Sequence, residues 1–188
     1  LSTYADSSKA RLWLDGDAFR GTANASTPTN PFATSVVGFE AFGGIKAGFT
    51  ITPSQDVTDL DIWNNESGAA YFTSKKPPTF GIKFRPVDYS KATALTLLQG
   101  GSISETSGGS GIWKWTTGTD EEFSLLLQLR SGTNRKKAYY IPRATLAAIP
   151  EEVMNDDDLE GWDLEIKPLA PSGGVQAIQK FTDTNPLA

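Results

Sequence analysis

The sequence predicts a mainly β domain, an antiparallel β-sandwich with one flanking α-helix. Three observations carry this. Threonine, serine and glycine abound, short apolar runs are separated by turn signals, and only one segment has clear helical character. At 188 residues the chain fits one domain that buries about 70% of its unfolded surface.

The elements follow in chain order. Residues 1–38 read as an N-terminal hairpin and arm. Leu12, Trp13 and Leu14 lead into Asp15-Gly16, a hairpin dipeptide, with Ala18 and Phe19 beyond it. Residues 21–35 are polar, hold two prolines and lack periodicity, as a long loop would. The sandwich spans 39–182. Residues 39–51 read as one strand with Phe39, Ala41, Gly43, Ile45, Ala47, Phe49 and Ile51 on one side. Gly43-Gly44 inside it marks a bulge or a close backbone approach. Strands at 59–63 and 69–73 flank a connection at 64–68. Residues 74–78 are exposed, since two prolines cannot donate to a ladder.

Residues 79–87 form the next strand, with Phe80, Ile82 and Phe84 facing one way. The helix covers about 89–99: Asp88 or Ser90 caps its start, Ala94, Leu95, Leu97 and Leu98 make its stripe, and Gly100 stands at its C-terminal cap. A flexible Gly/Ser stretch at 100–111 holds a short strand at 102–105. Strands at 112–116 and 122–130 follow, and a turn at 131–134 sends the chain back antiparallel. Strands at 162–169 and 175–182, joined by 170–174, complete the domain, and 183–188 form a C-terminal arm. Neither an internal repeat nor a second core is visible.

Composition removes whole classes of function. With no cysteine there is neither a disulfide nor a thiolate metal site, and with no histidine there is no Ser-His or Cys-His nucleophile pair. The expectation is a protein that is not an enzyme and uses no cofactor or metal. A net charge of −5 disfavours a dedicated duplex-DNA binder. No apolar run approaches the ~18 residues of a membrane span, so no membrane insertion is expected. The chain opens on Leu1 without a signal-peptide pattern, and the native start is expected to lie upstream or to have been removed.

Candidate sites are few. In NRKKAYYIPR (134–143) the cations crowd the turn end on both strand faces, whereas a nucleic-acid site favours aromatics and cations interleaved on one face. A solvated hairpin tip is the simpler reading. EEVMNDDDLE (151–160) has six carboxylates and no cation, but consecutive aspartates diverge and suit a solvated loop better than a calcium site. These two blocks of opposite sign could pair within the chain, or sit at opposite ends of a subunit that stacks on copies of itself. Trp63, Trp113, Trp115 and Trp162 fit a sandwich core, or else a sugar-binding platform. Asp15/Asp17, Asp59/Asp61 and Glu121/Glu122 are carboxylate pairs of the kind glycosidases use, with nothing to set their separation. Gly108–Gly111 lacks the Lys-Ser/Thr of a P-loop, and the glycosylation triplets at Asn24 and Asn65 are short enough to recur by chance.

A resemblance covers most of the chain. FEAFGGIKAGFTI (39–51), DIWNN (61–65) and FRPVDYSKATALTLLQGGSI (84–103) resemble the major tail proteins, or tail tube proteins, of long-tailed, non-contractile bacteriophages of the siphovirus type, as in phages of actinobacteria. WKWTTGTDEEFSLLLQLRSG, RKKAYYIPRATL, GWDLEIKPLAPSGG and QKFTDTNP continue it to residue 186. The resemblance implies a tail-tube-like sandwich with extended loop and terminal arms. It further implies stacked hexameric rings, made in the bacterial cytoplasm and placed in the virion as the conduit for the genome. Tape-measure, tail terminator and baseplate or tail-tip proteins are the implied partners, and genomic DNA would pass through the lumen without specific binding. The expected assembly interface comprises Arg135, Lys136 and Lys137 against Asp156, Asp157 or Asp158 of a neighbour, with Asn64, Asn65, Lys75 and Lys76 on a reaching loop. Residues 21–35 and 64–79 are expected to be mobile in a free subunit and ordered in the tube. Alternative readings are a carbohydrate-binding β-sandwich module, or another virion β-sandwich such as a tail terminator or head-decoration protein.

Overall fold

β9 (Phe123–Arg130) is apolar at successive positions, so both of its faces require cover. In a computed structural model, which describes residues 10–64, 66–132, 135–174, 176–185 and 187, it obtains that cover inside an antiparallel sheet. The fold is mainly β, with antiparallel sheets and, among the described residues, a single α-helix.

β1 (Asp15–Thr22) flanks β9 on one side and itself pairs with the short β2 (Phe39–Ala41). On the other side lies β10 (Lys136–Leu146), the longest strand. Its first half also pairs with β14 (Gln179–Thr182), and its second half with β13 (Leu164–Pro168). The register slips between Ile141 and Ala144, where Pro142 could not have donated to the ladder. β6 (Thr79–Pro86) follows β13, and β3 (Ile45–Ser54) ends the sheet.

The sheet folds over so that β3 comes back against β1. Between the two halves lies the main core, including Phe84, Phe123, Leu125, Leu127, Ile141 and Ile166. The helix α1 (Lys91–Leu98) closes one end through Ala92. A second buried cluster corrects the expectation of a single core. Phe19, Leu126, Ala138 and Tyr140 lie on the outer face of β1, β9 and β10, beneath Val36 and Phe32 of the 23–38 loop. Gln128 donates to the Ala33 carbonyl at 2.8 Å, and the Tyr140 hydroxyl donates to the Ala25 carbonyl. These contacts seat the loop on the outer face of the sheet.

Several boundaries also move. Asp15-Gly16 is no turn: both residues sit inside β1 opposite Arg130 and Leu129. Glycine is needed there because a Cβ would stand 2.8 Å from the Phe49 ring and 2.7 Å from the Gln128 carbonyl oxygen. The single strand expected at 39–51 is two strands on opposite borders of the sheet, broken at Gly43-Gly44. The close approach read there is real, since the Gly44 amide donates to Asp88 at 2.7 Å.

The helix begins at its Ser90 cap as read, but Gln99 takes the left-handed C-cap. Its buried face is Ala92, Thr93, Thr96 and Leu98, shifted from the expected stripe. Thr96 is tolerated there because its hydroxyl donates to the Ala92 carbonyl at 2.8 Å. β7 (Ser102–Glu105) and β8 (Trp113–Thr116) form a hairpin in place of a free linker. Glu105 latches its turn by accepting the Gly109 and Gly111 amides at 3.0 and 2.7 Å. The strand expected from 175 is ordered as β14 only from Gln179, and Val175 itself lies outside the described residues.

Candidate assembly surfaces

Three surfaces remain open once the two cores are filled. The first is an arm. β3 and β6 continue past Ser54 and Thr79 into a separate two-stranded ribbon, β4 (Val57–Leu60) with β5 (Phe72–Lys75). Every residue of both strands is exposed. Leu60 faces Phe72, and beyond them stand Ile62, Tyr71 and a fully exposed Trp63 (103%). A lone hairpin is marginal in water, and this one presents exposed apolar side chains. Asn64 is exposed at its tip, Lys75 and Lys76 are exposed at its stem, and Lys76 lies 3.6 Å from Asp56. Asn65 lies outside the described residues.

The second surface is an aromatic cleft of about 650 Å³ at the helix end. Tyr89 meets Trp162 edge-on at 5.0 Å and Trp115 at 6.2 Å, and Leu97, Ile149 and Pro150 complete the apolar wall. Glu152 stands at its edge. Slight burial, aided by Glu160 and Glu152, raises the Tyr89 phenol above its ordinary value. The expectation that all four tryptophans fill a core fails. Only Trp162 is buried, because Trp63, Trp113 and Trp115 sit on two-stranded hairpins with no sheet above them. The cleft joins Tyr89, which precedes the Ser90 cap, to Leu97 of the helix and to Trp115 and Trp162, which are remote in sequence, so no local spacing announces it.

The third surface is the pair of charged blocks. The cationic block opens β10, and the acidic block follows the strand's other end. At one end Arg135 donates to the Ala10 carbonyl at 2.7 Å, the Lys136 amide donates to Asp183 at 2.8 Å, and Lys137 lies over the Trp13 ring at 5.3 Å. At the other end Asp158 is held by Lys46 and, at 3.5 Å, by Arg85. The Lys46 hydrogen bond lowers the Asp158 carboxyl below its usual range. Asp158 is thus satisfied within its own subunit and is withdrawn as a partner for a neighbour's cations. Asp156 and Asp157 are exposed and make no ion pair among the described residues.

The carboxylate pairs considered for acid–base chemistry have structural partners. Asp15 and Asp17 hold Arg130, Asp59 accepts from Thr73 at 2.8 Å, and Glu121 meets the buried Arg20 at 2.8 Å. Arg143 grips Glu122 with two nitrogens at 2.5 and 2.6 Å, and these bonds, against an opposing effect of burial, lower the Glu122 carboxyl below its usual range. The folded carboxylate therefore binds its proton less readily than the unfolded one. Its stabilisation is full above the ordinary carboxylate range and fades as pH falls through the lowered value. Glu122→Gln should flatten the acid limb of thermal stability relative to wild type, measured as Tm against pH.

Neither a scan against protein-family models nor a search of the curated proteins finds a match.

Proposed function

We propose that this chain is the major tail protein of a long-tailed, non-contractile bacteriophage, a structural virion protein rather than an enzyme. Its copies close into hexameric rings, and the rings stack into the tube through which the genome leaves the virion. The observation that carries the reading is the border strand β3. Among the described residues it pairs on one side only and runs on into an arm whose two strands are exposed throughout. Unpaired borders invite strand addition, and a ring of copies is a way to use them. The resemblance of residues 39–186 to tail tube proteins points the same way. A net charge of −5 suits a wall along which phosphates must slide rather than stick. Tape-measure and terminator proteins would set the length that head-to-tail stacking alone cannot set.

Negative-stain microscopy of purified protein at rising concentration should show rings and then tubes. A monomer that persists at every concentration would remove the reading. In the tube, Arg135, Lys136 and Lys137 of one copy face Asp156 and Asp157 of the next. Reversing the charge of either block should abolish tubes, and reversing both should restore them.

A second reading, a carbohydrate-binding module, is favoured by one observation: Tyr89, Trp115 and Trp162 converge on a cleft of ligand size. It requires a glycan-dependent change in tryptophan fluorescence in a protein that stays monomeric.

A further inference from the structure

We infer that the cleft at the helix end is an aromatic cage for a small organic cation, an alkylated ammonium of the choline class. The inference is independent of the tail-tube reading, which gives this cleft no role.

Ring placement comes first. Tyr89 stands just before the Ser90 cap and Trp115 comes from β8. Trp162 comes from a two-residue strand, β12 (Gly161–Trp162), which pairs with β11 (Glu152–Val153). The Tyr89 ring lies at 86° to the Trp115 ring and at 83° to the Trp162 ring. A neutral sugar stacks on a flat aromatic platform, and rings at right angles make a corner instead. A compact cation is attracted by π faces met from more than one direction, and such a corner supplies them. Trp162 is buried, whereas Tyr89 and Trp115 remain exposed, so a solute can reach the cage.

Charge comes second. Glu152 lines the cleft, and no lysine or arginine does. Antiparallel pairing sets Glu152 opposite Trp162, and Glu160 lies two residues before that tryptophan. Neither carboxylate makes an ion pair or a side-chain hydrogen bond among the described residues. Lys46 and Arg85, which meet the same acidic segment, are already held by Asp158. Burial first, then Glu160 and Glu152, raise the Tyr89 phenol, so both carboxylates act at the rings themselves. Unpaired negative charge beside three aromatic rings selects a cation.

The lining selects which cation. Leu97, Ile149 and Pro150 offer an apolar wall that suits N-methyl groups. A bare ammonium, as on lysine, is strongly hydrated and gains less from such a wall. A volume of about 650 Å³ falls within the ~300–1,000 Å³ of small-molecule sites, enough for the head group and a short substituent.

The test is calorimetric titration of the full chain with choline, with its uncharged isostere 3,3-dimethyl-1-butanol, and with glucose, all at one ionic strength. Choline should bind saturably and at least about fivefold more tightly than the isostere. The double variant Glu152→Gln, Glu160→Gln keeps the shape and removes the charge. It should weaken choline binding by about fivefold and leave the isostere unchanged. Trp115→Leu, with circular dichroism to establish folding, should weaken both ligands. Equal affinity for choline and the isostere would overturn the cage by revealing a merely apolar groove. Absence of saturable choline binding, glucose binding in its place, or full choline affinity in the double variant would overturn it too.

Discussion

Leu126→Ala is expected to cost about 2–5 kcal/mol, as much as Leu127→Ala on the opposite face of the same strand. Both side chains are fully buried, Leu127 in the main core and Leu126 beneath the 23–38 loop. The equality is the informative part. If the loop lay off the sheet, Leu126 would face solvent, and its loss would fall within about 0.5 kcal/mol. The loop is attached to β9 and β10 by Gln128 to Ala33, Tyr140 to Ala25, and the Asn24 amide to the Pro142 carbonyl at 2.8 Å, and to β14 by Thr27 to Gln179 at 3.3 Å. Against a total stability of about 5–15 kcal/mol, such a loss removes a large fraction of the margin. Urea denaturation of dilute protein measures it directly, with a lowered midpoint and an unchanged slope for both variants. A small shift for Leu126→Ala beside a large one for Leu127→Ala would mean that the loop does not cover the outer face.

That loop marks the limit of what could be read from sequence. Alternation and turn chemistry revealed β6, β9, β10 and the Ser90 cap, because each depends on residues close in the chain. Packing of a polar, proline-containing segment is a different matter. Phe32, Ala33 and Val36 have no period, and their cluster partners Leu126 and Tyr140 lie about a hundred residues away. Asp15-Gly16 misled for a related reason. The dipeptide favours a hairpin locally, but the nearby Phe49 ring and the Arg130 guanidinium give both residues a use inside a strand.

The candidate site was legible in part. The charged blocks were visible as runs, and their location at opposite ends of β10 follows from strand order. The capture of Asp158 by Lys46 and Arg85 was not visible, since three separate elements must meet to produce it. The tryptophans show the same division. Their number suggested a core or a platform, but exposure depends on which strands lack a sheet above them, and that is a property of topology.

Gly101→Ala and Gly118→Ala should each destabilise the protein by about 1–3 kcal/mol, the range for forcing atoms into a filled space. Neither residue needs a left-handed backbone; both are required by contact. A Cβ on Gly101 would collide with the Thr116 carbonyl oxygen and stand 2.7 Å from the Gly118 amide nitrogen. One on Gly118 would collide with the Gln99 carbonyl oxygen and stand 3.0 Å from the Gly101 amide nitrogen. The obstacles are backbone atoms, which no side-chain rotation can move. This crossing also carries the two bonds that end the helix, from the Gly101 and Gly118 amides to the Leu98 carbonyl at 2.8 and 2.7 Å. The β7–β8 hairpin starts from the same point, and Trp115 reaches Tyr89 from it. Since both substitutions open one junction, the double variant should cost less than the sum of the singles. Gly108→Ala is the control: a Cβ there meets nothing within 4 Å, so its effect should stay within about 0.5 kcal/mol. Hydrogen exchange should localise the damage, with protection lost first along β7 and β8 and retained in β9. Uniform loss across all strands would mean that the hairpin is not the element this crossing secures.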